Sequence, residues 1–137
     1  MLTKTITYTD YDGNTRTEDF YFNLSKSELA EMEMTTVGSL TTALTKMVKA
    51  NDVSDLVKAF KSIILKAYGE KSPDGRRLVK SEELAVAFTQ TPAYDSLFME
   101  LFTDTDKALN FIYAIIPQDM AKAAAEHANQ PVLAPLA

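Results

Sequence analysis

Residues 15–34, TRTEDFYFNLSKSELAEMEM, pass from an alternating pattern to a helix start within a few positions, and this junction sets the order in which the chain builds its structure. Phe20 and Phe22 fall on one side of an extended segment, because side chains in a strand repeat every second residue. Ser25-Lys26-Ser27-Glu28 then carries a reciprocal capping pattern: Ser25 accepts from the amide three residues on, and the Glu28 carboxylate reaches back to the amide of Ser25. A strand therefore feeds a helix directly. Upstream, residues 2–8 alternate with Ile6 and Tyr8 on one face, and Asp12-Gly13 supplies the turn chemistry that closes two such strands into an antiparallel hairpin. An isolated hairpin is only marginally stable, so its apolar face must dock on helices, through Phe20, Phe22 and Leu24.

The remainder reads as helices separated by capping and breaking signals. The first helix carries Leu29 and Met32 inward and is expected to stop at the Thr35-Thr36-Val37-Gly38 break. A second, over 39–50, stripes Leu40, Leu44, Met47 and Val48, and Asn51-Asp52 interrupts it. Val53, Leu56, Val57, Phe60, Ile63, Ile64 and Tyr68 form the strongest helical stripe and mark the central core helix. Residues 69–80, GEKSPDGRRLVK, read as a polar loop around Pro73-Asp74-Gly75, with room for two short extended arms. Ser81 caps a helix through Phe88. Thr91-Pro92 opens one that carries Tyr94, Leu97, Phe98, Leu101 and Phe102. A third start at 103–106 leads into 107–116, apolar on most of its circumference, and Pro117 marks a kink before an Ala-rich helix over 118–129 with little to bury. Residues 131–137 read as a mobile tail.

The expected fold class is α+β and mainly α-helical: an N-terminal antiparallel β-hairpin packed on a bundle of about five to six helices. Residues 1–117 are expected to form one domain, hairpin 1–24 and helices 25–117, followed by the helix and flexible tail of 118–137. With 137 residues and 46% apolar content, one core is attainable without cross-links. No cysteine and a single histidine exclude a disulfide framework, a thiolate zinc site, a cysteine nucleophile and a multi-histidine metal site. The longest uncharged apolar run, 108–117, is far short of the roughly 20 residues of a membrane span. A net charge of −5 argues against duplex nucleic acid as a partner and leaves a protein partner as the expectation.

Three segments resemble the tail assembly chaperone family of long-tailed phages: FYFNLSKSELAEME at 20–33, ILKAYGEKSPDGRRLVKSEEL at 64–84, and TPAYDSLFMELFTDTDKALNFIYAIIP at 91–117. Their order and spacing carry the resemblance, which with the hairpin spans nearly everything up to Pro117; the chain beyond it fits no assigned pattern. The resemblance implies a non-enzymatic helper in the host cytoplasm, absent from the mature virion. Such a helper binds and solubilises the long helical tape measure protein and helps recruit tail tube protein, and many members are also made in a longer form by ribosomal frameshifting. It implies no cofactor, no nucleic acid and no membrane. Coating a long target also favours self-association into helical oligomers. The apolar density of 94–116 is too wide for one buried stripe, which nominates Tyr94, Phe98, Phe102, Phe111, Ile112, Ile115 and Ile116 as partner-binding residues. On that reading Phe111→Asp or Ile115→Asp abolishes solubilisation of the tape measure while the domain stays folded. Two rivals stand beside it: a structural minor tail or tail completion protein, which shares the size and the lack of chemistry, and a small enzyme or ligand-binding module, opposed by the absence of a convergent nucleophile, base and acid set.

Sharper chemical readings lose to plainer ones. DYDGNTRTED mimics a calcium loop, but counting from Asp10 puts Thr15 where the loop requires Gly and Tyr21 where it requires Glu. Asp104 and Asp106 sit where helix caps are expected. His127 lies on a polar helix without a nucleophile motif. Lys71, Arg76, Arg77 and Lys80 read as a solvated loop or the rim of a protein contact. The row Phe98, Met99, Leu101 and Phe102 reads as packing before it reads as a ligand pocket, and the terminal PVLAPLA reads as an untethered, unselected end before it reads as a docking peptide.

Overall fold

A computed structural model describes residues 1–32 and 53–122. The helix expected over 39–50, the break at Asn51-Asp52, His127 and the tail of 131–137 lie outside the described residues. Strands β1 (Leu2–Thr9) and β2 (Thr15–Phe22) pair antiparallel, with Leu2 opposite Phe22 and Thr9 opposite Thr15. The Asp10 carboxylate holds their turn by accepting from the amides of Asp12 and Asn14 at 2.9 Å each. Gly13 supplies a φ of 86° that other residues rarely adopt. The expected capping box opens α1 (Lys26–Glu31): Glu28 N donates to Ser25 Oγ at 3.2 Å and Ser25 N to Glu28 Oε1 at 2.9 Å. Helix α1 ends at Met32, before the break read at 35–38, its last amide shared between the Glu28 and Leu29 carbonyls.

Helix α2 (Val53–Ala67) spans the predicted stripe and buries Ile63 and Ile64 from it, except that Tyr68 opens strand β3 (Tyr68–Lys71) instead of closing the helix. Strand β3 pairs with β2, Tyr21 opposite Gly69 and Phe22 opposite Tyr68, and β4 (Leu78–Val79) pairs with β3. The polar excursion is therefore a second hairpin: its two short extended arms are paired strands around the Pro73-Asp74-Gly75 turn. The expectation of a lone N-terminal hairpin is corrected to a four-stranded antiparallel sheet in the order β1-β2-β3-β4. The physical reason is Gly69: a Cβ there would lie 2.7 Å from Leu78 Cγ and 2.9 Å from the Val79 carbonyl oxygen, so its absence lets the two arms close on each other.

Helices α3 (Glu82–Thr89), α4 (Pro92–Phe102) and α5 (Thr105–Ile115) start at Ser81, Thr91 and Asp104, each accepting from backbone amides of its first turn. After Pro117 the chain is helical again over 118–122, where Met120 and Ala121 are buried, more than expected for this segment. The fold is α+β, with one continuous core running from Ile6 and Phe22 on the sheet through Leu29, Ile64, Phe88 and Leu97 to Ile115 and Ala121. Two long-range amides lock the strand exit into it. Asn23 N donates to the Ala67 carbonyl at 2.9 Å and Leu24 N to the Ile115 carbonyl at 2.7 Å.

Candidate functional site

Helix α4 buries Ala93, Leu97 and Leu101 in the core. Each helical residue is rotated about 100° from the last. The same spacing therefore sets Tyr94, Phe98 and Phe102 on the flank, half-buried and in a row. Their centroids are 5.9 Å apart for Tyr94 and Phe98, and 5.7 Å for Phe98 and Phe102, whose planes lie within 13° of each other. The row is anchored at one end by Phe88, the last large side chain of α3. That ring stacks on Tyr68 at 4.2 Å and lies 5.4 Å from Phe20, 5.8 Å from Phe22 and 5.5 Å from Tyr94. Thr91 fixes the junction, its hydroxyl donating to the Phe88 carbonyl at 2.7 Å while accepting from Tyr94 N at 3.2 Å. Beyond the row, Met99 is 47% exposed. Burial, then the Asp95 carboxylate, raises the Tyr94 phenol above its ordinary pKa.

The structure separates the seven nominated residues. Tyr94, Phe98 and Phe102 share the accessible flank of α4. Phe111, Ile112, Ile115 and Ile116 lie in the core, at 6%, 3%, 0% and 1% exposure. The apolar width of α5 is taken up by packing on several sides at once, and Phe111 meets Phe22 edge to face at 5.3 Å. A carboxylate at 111 or 115 would thus be buried without a partner, which corrects the expectation that the aspartate variants leave the fold intact.

Other expected positions have plain roles. Asp104 Oδ1 accepts from the amides of Asp106 and Lys107 at 3.0 and 3.2 Å as a helix cap. The Asp10 carboxyl is held below the usual carboxylate range by Arg16 and by the turn amides of Asn14 and Asp12. Arg76 and Arg77 are exposed at the tip of the second hairpin, and Lys71 Nζ sits 5.0 Å from the centroid of the Tyr21 ring. Lys80 departs from that group. It is part-buried, donating to Glu28 Oε2 at 2.6 Å and to the Asn23 and Lys66 carbonyls at 2.5 and 2.9 Å. Sequence reasoning put Lys80 on a solvated loop or contact rim and missed its three part-buried acceptors, and it missed Phe88 as the hub of the aromatic array; the Ser81 cap placed Phe88 on a helix but not against four rings.

Among the described residues no group of three or more His, Cys, Asp or Glu side chains could hold a metal ion. None of their helices is long and apolar enough to cross a membrane. What the geometry offers is an apolar ledge on a rigid helix, suited to contact with another apolar surface. A family model described as phage tail assembly chaperone matches residues 1–135, extending past Pro117. Neither a curated protein nor a solved structure matches the chain.

Proposed function

The chain belongs to the phage tail assembly chaperone family, and from that premise we propose that it binds the tape measure protein through the Tyr94–Phe98–Phe102 flank of α4, keeps it soluble and helps bring tail tube protein to it. Family membership implies a non-enzymatic role. The observation that carries the surface assignment is the aromatic row itself, three rings at i, i+4, i+8 beside the exposed Met99. At about 1.5 Å per residue the row is about 12 Å long, which matches two turns of an apolar stripe on a target helix. Phe111, Ile112, Ile115 and Ile116 serve this surface from beneath by fixing α5 against α4. Repeated contacts of moderate strength along a long target give avidity while allowing displacement by tube subunits. Such a helper acts in the host cytoplasm, is absent from the virion, self-associates along its target and has a longer frameshifted form.

Co-expression with a candidate tape measure protein, read by pull-down and by the soluble fraction, tests the reading. The exposed-flank variants Met99→Lys and Phe102→Lys are expected to lower the recovered soluble target at least about fivefold with the fold retained by circular dichroism. Unchanged recovery would reject the surface. Mass spectrometry of purified particles separates the role from that of a structural minor tail or completion protein. A chaperone is missing from particles, whereas a structural part is present at fixed copy number.

A further inference from the structure

The two edges of the sheet are unequal. Strand β4 at one edge has two residues, and β1 at the other has eight, paired one-to-one with β2 and free of any bulge, proline or glycine. Long edge strands are normally blunted by such features or by outward charges. The one charged residue of β1, Lys4, alternates onto the inner face and pairs with Glu100 of α4 at 2.9 Å. The phase of the ladder follows from the turn, where Asp10 N donates to the Asn14 carbonyl at 2.8 Å and makes Asp10 and Asn14 a hydrogen-bonded pair. Counting back by alternation, Tyr8, Ile6, Lys4 and Leu2 exchange bonds with β2, and the N–H and C=O groups of Thr3, Thr5, Thr7 and Thr9 point away from it. The close approach of Thr7 Oγ1 and Thr17 Oγ1, 2.9 Å, fits the narrow spacing of a pair without backbone bonds. All four threonines are exposed, and among the described residues only β2 bonds to the β1 backbone.

We infer that this edge pairs with the same edge of a second copy, β1 antiparallel to β1 with the twofold axis through Ile6. That register sets Thr3 opposite the partner's Thr9 and Thr5 opposite the partner's Thr7. All four outward pairs of backbone groups on each strand are then used. On the inner face it sets Ile6 against its own copy and Lys4 against the partner's Tyr8, so no like charges meet. The other edge cannot substitute, because two residues of β4 match only a quarter of β1. Sheet pairing between copies therefore closes at two, an isologous contact, and open growth along a target has to use a different surface. The inference concerns the chain alone and does not depend on the tape measure reading.

Sedimentation equilibrium of the full chain is expected to show twice the 15.2 kDa protomer mass as concentration rises towards about 1 mM. The cysteine-free sequence makes disulfide trapping clean. A mixture of Thr5→Cys and Thr7→Cys chains is expected to cross-link at least about tenfold faster than either alone, because only the mixture brings opposed positions within disulfide reach. Thr5→Pro removes an outward N–H that β2 does not use and returns the mass to 15.2 kDa with unchanged circular dichroism. Thr7→Lys, a gatekeeper on the same edge, does so without a backbone constraint. A protomer mass at every concentration, equal cross-linking rates, or a dimer indifferent to both edge variants overturns the proposal. The first of these outcomes leaves the edge to an extended segment of another protein.

Discussion

Lys80 shows how one side chain can join three elements. Its ammonium has three donors, and the structure gives each an acceptor: the carbonyl at the β2 exit, a carbonyl in the last turn of α2 and the capping glutamate of α1. The Lys66 carbonyl is among the orphan groups at a helix end, where a cation is doubly favoured by hydrogen bonding and by the helix dipole. Burial opposes ionisation of Glu28, but Lys80 and the Ser25 amide outweigh it and hold its carboxyl below the ordinary glutamate range. Lys80→Met is expected to cost about 1–3 kcal/mol in denaturant titration, since it leaves part-buried acceptors unpaired; a loss below about 0.5 kcal/mol would make the contact an ordinary surface bridge. Glu28 also sets a direction with pH. Its depressed folded pKa means the unfolded chain takes up the proton first. Its contribution is therefore full above the ordinary glutamate range and is lost as pH falls through the folded value. The gap in melting temperature between the wild type and Glu28→Gln should narrow in acid. The role of Glu28 could be read locally from Ser25-Lys26-Ser27-Glu28. That of Lys80 could not, because its acceptors lie 57, 52 and 14 residues away.

At the scale of elements, what was legible is what the local backbone needs. Ser25, Ser81, Thr91 and Asp104 announce helix starts because the first amides of a helix lack internal partners, and all four side chains accept from those amides. The short strands β3 and β4 were legible only as arms of a loop, since four and two residues leave little room for an alternating pattern. Their signal was steric: a glycine inside YGEK marks a close backbone approach. Gly69→Ala must push against Leu78 Cγ and the Val79 carbonyl, so it is expected to destabilise the protein by about 1–3 kcal/mol. The damage should spread to β2, because Gly69 is paired with Tyr21. Amide exchange checks this: faster exchange at Tyr21, whose amide faces β3, with Phe22 and β1 unaffected is the expected pattern, and an unaltered β3 would show that the arms can separate freely.

Across the whole molecule the core decides which apolar side chains remain available to a partner. Composition showed that residues 94–116 hold more apolar surface than one stripe needs, and that much was legible. Which helix keeps a free flank was not, because it depends on which side of each helix its neighbours cover. Helix α4 meets β1, α2, α3 and α5 yet leaves Tyr94, Phe98 and Phe102 half-buried on one flank, whereas α5 and its C-cap turn Phe111, Ile112, Ile115 and Ile116 into the core. Ile115 is the test of this enclosure: its side chain is fully buried and its carbonyl accepts from Leu24 N at the sheet exit. Ile115→Ala keeps that backbone bond and removes only packing, at an expected cost of about 2–5 kcal/mol. If hairpin and helices share one core, far-ultraviolet and near-ultraviolet circular dichroism should report a single coincident transition shifted to lower temperature. A helical transition that moves while the aromatic signal of Phe22, Tyr68 and Phe88 stays in place would mean that sheet and bundle melt separately, and that the ledge on α4 rests on a smaller core than the contacts of Ile115 describe.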